Sequence, residues 1–283
     1  MQIAVVAQSD TLTLNYKLER YLKICDPQRL YDFLNETNYT TKDILSVGKY
    51  MSYHSHDACG NALQKICFTK MDTISAGDYH EYSVQNTKNG NYAEAFDALE
   101  KAVVLEAQDI EGYYGWVLLY YYRDYERSLK HLDHYDQLKP NEMKAPVGEN
   151  IHFLKGLCYY QMRDFNKAIS EFTLNLSFET EKFGIENANA YIFFYLGRCY
   201  DQLGDLRKAS SYYEKAIRYT LFPTEAHYYL GLLSRQEKKF SIARKHLEAS
   251  LSLIKSGYKQ QDIYVELFDE VYQSQIEEAL IIK

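Results

Sequence analysis

The chain is short of the residues that interrupt helices. Its 283 residues include four prolines and thirteen glycines. Proline removes a backbone donor and glycine costs ordering entropy, so scarcity of both suits nearly continuous helix. No stretch approaches eighteen apolar residues, so nothing reads as a membrane-spanning helix. The opening MQIAVVAQSD lacks a basic region before a short apolar run, unlike a secretory signal. Positive charge is in deficit, with 32 Lys and Arg against 39 Asp and Glu. That balance argues against a nucleic-acid backbone as main partner. The five cysteines (25, 59, 67, 158 and 199) are odd in number and scattered, without a CxxC pair. They read as buried free thiols of a reducing cytoplasm rather than a disulfide framework. A phosphate-cradling glycine loop and a Gly-x-Ser-x-Gly motif are also missing, so the sequence assigns no catalytic residue and no cofactor.

What the chain has is a rhythm of small residues. Ala95, Ser128, Ala168, Ala209 and Ala243 recur at intervals of 33, 40, 41 and 34. Twelve residues upstream of four of them lie Ser83, Gly156, Gly197 and Gly231, and four residues downstream of all five lie Leu99, Leu132, Phe172, Tyr213 and Leu247. A period of this length predicts stacked helix pairs in which no unit buries its core alone. The fourth unit is the fullest: Phe193, Leu196, Gly197 and Tyr200, then Gly204-Asp205, Ala209, Tyr213, Ala216 and Pro223. The third shows Gly156, Tyr159, Asp164-Phe165, Ala168 and Phe172, and the fifth Leu230, Gly231, Phe240, Ala243 and Leu247. The first, with Ser83, Gly90-Asn91-Tyr92, Ala95 and Leu99, is weaker. The second places Trp116 where a small residue belongs, unless its register slips by one to Gly115.

These positions resemble the tetratricopeptide repeat, whose small residues let two antiparallel helices approach and whose aromatics fill the flanking gaps. The resemblance covers roughly residues 76–257. It implies an all-α fold, a right-handed superhelix of antiparallel helix pairs, with a concave face that binds protein or peptide segments and no catalysis. Carrying the family's groove positions over gives Tyr121, Phe153, Tyr160, Tyr191, Phe194, Arg198, Tyr228 and Arg235 as candidate contacts. Tyrosine offers rigid apolar area with a hydroxyl, and arginine can fork onto a carboxylate. The same rings could instead pack between units, since 29 tyrosines also reflect composition. The basic pattern that captures chaperone C-terminal carboxylates is absent, because Phe153, Leu157 and Phe194 occupy its places.

Outside the repeats, apolar spacing predicts helices near 11–25, 28–37, 41–52 and 56–70, with Thr40 or Thr41 as an N-cap and Asp43 in the first turn. Residues 1–75 are either a helical subdomain or degenerate repeats. Longer intervals place insertions near residues 139–150 and 177–189, as a lengthened second helix with a longer loop or as partner-contacting loops. After Gly257, residues 258–283 read as one capping helix with Leu267, Phe268, Val271, Ile276 and Ala279 on its apolar face. His54, His56, Cys59 and Cys67 are the only cluster of metal-ligand types, without a standard fourth ligand. No metal site is assigned. Three readings stand: a non-catalytic protein-binding adaptor, a peptide-sensing regulator with residues 1–75 as output module, and an enzyme using the His54–Cys67 segment. Neither a nucleic acid nor a membrane is expected as partner.

Overall fold

A computed structural model describes residues 20, 23–54, 57–138, 144–259, 262, 265–281; Asp57 is described by its backbone alone. Among these there are fourteen α-helices and no strand. The chain divides into two compact units, Met1–Ile110 and Glu111–Lys283.

In the first unit, α1 (Pro27–Glu36), α2 (Thr41–Tyr53) and α3 (Asp57–Lys70) precede the hairpin of α4 (Ala76–Lys88) and α5 (Tyr92–Leu105). These bounds match the expected helices closely; the expected helix at 11–25 lies mostly outside the described residues. Thr40 caps α2 as read, its hydroxyl accepting from the Asp43 amide at 3.2 Å while the Thr40 amide donates to the Asp43 carboxylate at 2.9 Å. Leu30, Leu34, Ile44, Leu45, Met51 and Leu63 form the core, joined by Cys59 and Cys67. Helices α2 and α3 cross at Gly48 and Gly60, where a Cβ on Gly60 would lie 2.5 Å from Ser52 backbone nitrogen. Twelve residues separate these glycines, the spacing of Ser83 and Ala95. The pair α2–α3 thus shares the small-residue spacing of the later hairpins. It escaped the sequence pattern because Gln64 occupies the place of the large apolar residue. Gln64 is fully buried and donates to Ser52 at 2.8 Å, inside a polar cluster with Asn61 and Asn86.

The second unit begins within α6 (Ala107–Val117) and continues through α7 (Tyr125–Leu138). Three hairpins follow: α8 (Ile151–Gln161) with α9 (Phe165–Phe183), α10 (Ala190–Gln202) with α11 (Leu206–Tyr219), and α12 (Thr224–Gln236) with α13 (Phe240–Lys255). In each hairpin a glycine of the first helix faces the bulky residue sixteen positions on. A Cβ would meet Phe172 at 2.5 Å from Gly156, Tyr213 at 2.7 Å from Gly197, and Leu247 at 2.8 Å from Gly231. Ala168 and Ala209 are fully buried and Ala243 nearly so. Gly204 turns the fourth pair at φ 77°, a left-handed conformation that favours glycine. The neighbouring Asp205 carboxylate then caps α11 by accepting from the Lys208 amide at 3.1 Å.

The second repeat resolves its ambiguous register physically. Gly115 is the small position, since its Cβ would meet Leu132 at 2.7 Å, and Ser128 donates to the Gly115 carbonyl at 2.7 Å. The partner sits seventeen residues on instead of sixteen. A π-turn over Leu118–Tyr122 absorbs the extra residue and ends at Arg123 with φ 55°. The later insertion is a lengthened second helix and a longer loop: α9 runs nineteen residues and gives way to a 3₁₀ turn, Ile185–Asn187. Residues 139–143 of the earlier insertion lie outside the described residues.

The capping helix is shorter than expected. Among the described residues after Gly257 only Gln273–Ile281 is helical (α14), packed on α13, and residues 265–272 run as turns and irregular backbone. The apolar period of that stretch is real but serves a different burial, described below.

Because the Gly197 Cβ would meet an aromatic ring rather than a flexible tip, Gly197→Ala should cost about 1–3 kcal/mol, as should Ala209→Leu at its fully buried site. Urea-unfolding midpoints of the two variants check this, and unchanged midpoints would refute the close crossing.

Candidate functional site

The first helices of the second unit build one face. The π-turn contributes Tyr120, α8 contributes Phe153 and Tyr160, α10 contributes Phe194, Tyr195 and Arg198, and α12 contributes Glu225 and Tyr229. Phe153, Tyr160 and Phe194 lie three or four residues from Gly156 or Gly197 and so flank the close crossings, Phe153 meeting Phe172 at 5.7 Å and Phe194 meeting Tyr213 at 6.1 Å. The rings interlock: Tyr195 lies edge-on to Phe153, Tyr160 and Phe194, at 5.9, 5.6 and 5.1 Å.

This face is already occupied by the chain itself. Residues 265–271 return over it with a turn at Phe268–Asp269, where Asp269 adopts φ 55°. Phe268 stacks on Tyr120 at 5.6 Å, meets Tyr125 at 6.0 Å, and lies under the Arg123 guanidinium at 4.2 Å. Tyr195 donates its hydroxyl to the Phe268 carbonyl at 2.9 Å. Arg198 reaches Asp269 at 2.9 Å and stacks over Tyr229 at 3.8 Å, while Tyr229 donates to the same carboxylate at 3.4 Å. Arg123 also donates to the Glu266 carbonyl. At the edges, Thr224 holds the Tyr258 carbonyl at 2.6 Å, and Arg235 holds the Ala279 carbonyl at 2.9 Å. Phe268 and Val271 are buried while Asp269, at φ 55°, turns its carboxylate to Arg198, and that left-handed residue interrupts the expected helix.

Acidic groups line the space beneath. A cavity of about 70 Å³ is bounded by Tyr120, Glu149, Phe153, Tyr191, Glu225 and Phe268. Burial raises the Glu149 carboxyl above its ordinary range, opposed by donations from Trp116 at 2.8 Å and Tyr120 at 3.1 Å. Burial likewise lifts Glu225 to about 7. For Arg198, burial disfavours the cation, but the Asp269 carboxylate and surrounding tyrosines outweigh it and hold the guanidinium firmly charged. Lys259, almost buried, pairs with Glu270 at 2.6 Å.

The expected contacts divide into groups. Phe153, Tyr160, Phe194 and Arg198 do converge, but the three rings are buried floor rather than exposed patch. Arg198 meets an internal carboxylate, not a vacant approach. Tyr191 borders the cavity beside Phe194 at 6.2 Å. Tyr228 and Arg235 lie further along α12, half-buried, with Tyr228 against Tyr229 at 5.2 Å. Tyr121 packs on Trp116 at 5.6 Å and does not join the seat. Sequence reasoning missed Tyr195, Tyr229 and Arg123. The doublets Phe194-Tyr195 and Tyr228-Tyr229 were visible, yet which member faces the seat depends on a helix rotation that spacing fixes only to about one residue. As for the metal-ligand cluster, His54 Nδ1 lies 2.8 Å from the Tyr50 carbonyl, and Cys59 and Cys67 are core. His56 lies outside the described residues, among which no three ligand-type side chains are placed to hold a metal.

Comparison with known proteins fits this geometry. A tetratricopeptide repeat model matches residues 149–220. The chain carries tetratricopeptide repeats. Solved structures share the fold. MamA (41-end) from Desulfovibrio magneticus RS-1 aligns at 19% identity and TM-score 0.54, over 66% of this chain and 98% of that one. The C-terminal part of a TPR repeat-containing protein from Cytophaga hutchinsonii aligns at 15% and 0.59, over 86% and 96%. The apo form of RapI aligns at 14% and 0.63, over 89% and 77%. A search of curated proteins finds no match. The matched residues include Phe153, Tyr160, Phe194 and Arg198 of the seat, while Tyr120, Arg123, Tyr125 and Tyr229 lie outside them.

The raised carboxyl of Glu225 makes a pH prediction. It binds its proton more readily folded than unfolded, so between about pH 4.3 and 7 the unfolded chain holds fewer protons and stability falls as pH rises. Glu225→Gln should remove that loss, gaining up to about 3 kcal/mol over the parent at pH 8 and little at pH 4. Urea midpoints of both proteins at the two pH values measure it; a parallel pH dependence would disprove the assignment.

Proposed function

We propose that this chain is a non-catalytic protein-binding scaffold whose ligand is a polypeptide segment, taken by the first-helix face of residues 111–283. The observation that supports it is the seating of the chain's own turn on that face, through one aromatic anchor, one buried carboxylate and a backbone carbonyl held by Tyr195. A face that meets polypeptide with ring slots, a guanidinium and a carbonyl-directed hydroxyl has the chemistry of peptide recognition. Tyr228, half-buried beside the seat, is left to meet an incoming segment, while Arg235 already holds the Ala279 carbonyl. We place the protein in the cytoplasm, because its four buried free thiols suit a reducing compartment; burial pushes those of Cys67, Cys158 and Cys199 up to about 12. Among the described residues no helix is long and apolar enough to cross a membrane.

A photoreactive phenylalanine analogue in place of Tyr228 should crosslink a discrete partner protein in cells, whereas the same group in place of Lys208, on the exposed side of α11, should not. Once the partner is in hand, Tyr228→Ala should weaken its binding by about 1–3 kcal/mol with helix content unchanged by circular dichroism. Capture from Lys208 alone would move the binding surface to the opposite face and end this reading.

A further inference from the structure

We infer that the segment this face binds in a partner carries an aromatic residue followed directly by aspartate in a turn, and that it displaces Phe268–Asp269 to bind. The inference rests on the protein-binding reading above. The seat itself specifies the chemistry. The aromatic ring has a slot between Tyr120 and Tyr125 with the Arg123 guanidinium above it. The next residue must bring a carboxylate to Arg198 and Tyr229 and must tolerate φ near 55°, a conformation that aspartate and asparagine adopt more readily than most residues.

The chain's own occupant fits this seat imperfectly. Arg198 Nε and Asp269 Oδ2 are buried without a hydrogen-bond partner among the described residues, and so is Glu225 Oε2 in the cavity beneath. Each unmet polar atom weakens the intramolecular seating, and a segment that supplies the missing partner holds better. Beside Asp269 lies an open cleft of about 560 Å³, walled by Gln161, Arg163, Arg198 and Gln202 on the repeat side and by Glu266 and Glu270 of the occupant. The occupant leaves this space unfilled, and once its carboxylates depart the repeat-side donors suit a further acidic side chain. The described residues between the Gly257 turn, φ 80°, and α14 are irregular, so departure of 265–271 breaks no helix hairpin. A local concentration near millimolar, typical of a short tether, then sets what a partner segment must exceed.

The test uses the full-length chain and a fluorescein-labelled synthetic peptide of residues 262–275. In full-length Phe268→Ser/Asp269→Asn, which empties the seat, anisotropy should report saturable binding at least tenfold tighter than to the parent. The same peptide with Asp269→Asn should bind at least tenfold more weakly, and binding should fall with added salt. Equal affinity for parent and variant, or no binding to a variant that keeps the parent's circular dichroism, overturns the inference. Should the variant fail to fold, hydrogen exchange on the parent decides: excess peptide should deprotect amides 265–272, and unchanged protection overturns the proposal. A parent that sediments as a dimer with exchanged C-terminal segments also overturns it, assigning the seat to a second copy. Peptide binding without crosslinking from Tyr228 would retire the scaffold reading alone; crosslinking without peptide binding would retire this inference alone.

Discussion

The second unit depends on one contact, repeated: a first-helix glycine with no Cβ against a bulky side chain of the helix that follows. Gly156 with Phe172, Gly197 with Tyr213 and Gly231 with Leu247 leave less than 3 Å for an added methyl. The contact fixes the rotation of each first helix, and rotation decides which side chains flank the crossing. With the glycine turned toward its partner, Phe153 meets Phe172 and Phe194 meets Tyr213 beside it. The floor of the seat is thus continuous with the packing that holds each hairpin together.

Much of this was legible in sequence, because a close crossing demands small residues and the demand recurs. The cap at Thr40 was equally readable, since an oxygen-bearing side chain before an apolar run satisfies orphan amides locally. Three features were not. The hairpin at Gly48 and Gly60 was hidden by Gln64, whose burial is compensated by a hydrogen-bonded cluster that draws on Asn86, far away in sequence. The register of the second repeat depended on a π-turn, which leaves no compositional trace beyond the misfit of Trp116. The partner of Arg198 lies 71 residues away, and no local period announces such a pairing.

The stretch around Phe268 shows how one pattern serves two structures. Leu267, Phe268 and Val271 have helical spacing, and an isolated reading gives a helix. The competing arrangement buries Phe268 among three aromatic or cationic neighbours and brings Asp269 to a guanidinium that would otherwise be a buried, unpaired charge. Removing one member of such a pair is far more costly than losing a turn of exposed helix, at about 3–5 kcal/mol against a few tenths per residue. Tertiary context therefore overrides the local period, and charged residues within the apolar run were the sign of it.

The π-turn has a consequence for how this face can change over generations. Inserting one residue into a helix ordinarily rotates everything beyond it by about 100° and would destroy the crossing at Gly115. Here the extra residue is confined to Leu118–Tyr122, so Gly115 keeps its place against Leu132 while Tyr120 and Arg123 take new directions, toward Glu149 and Phe268. A chain gains an aromatic wall and a cation this way by lengthening rather than by substituting its framework. Deleting one residue from the π-turn would restore the spacing of sixteen found in the three following hairpins and at the same stroke erase one side of the ring slot.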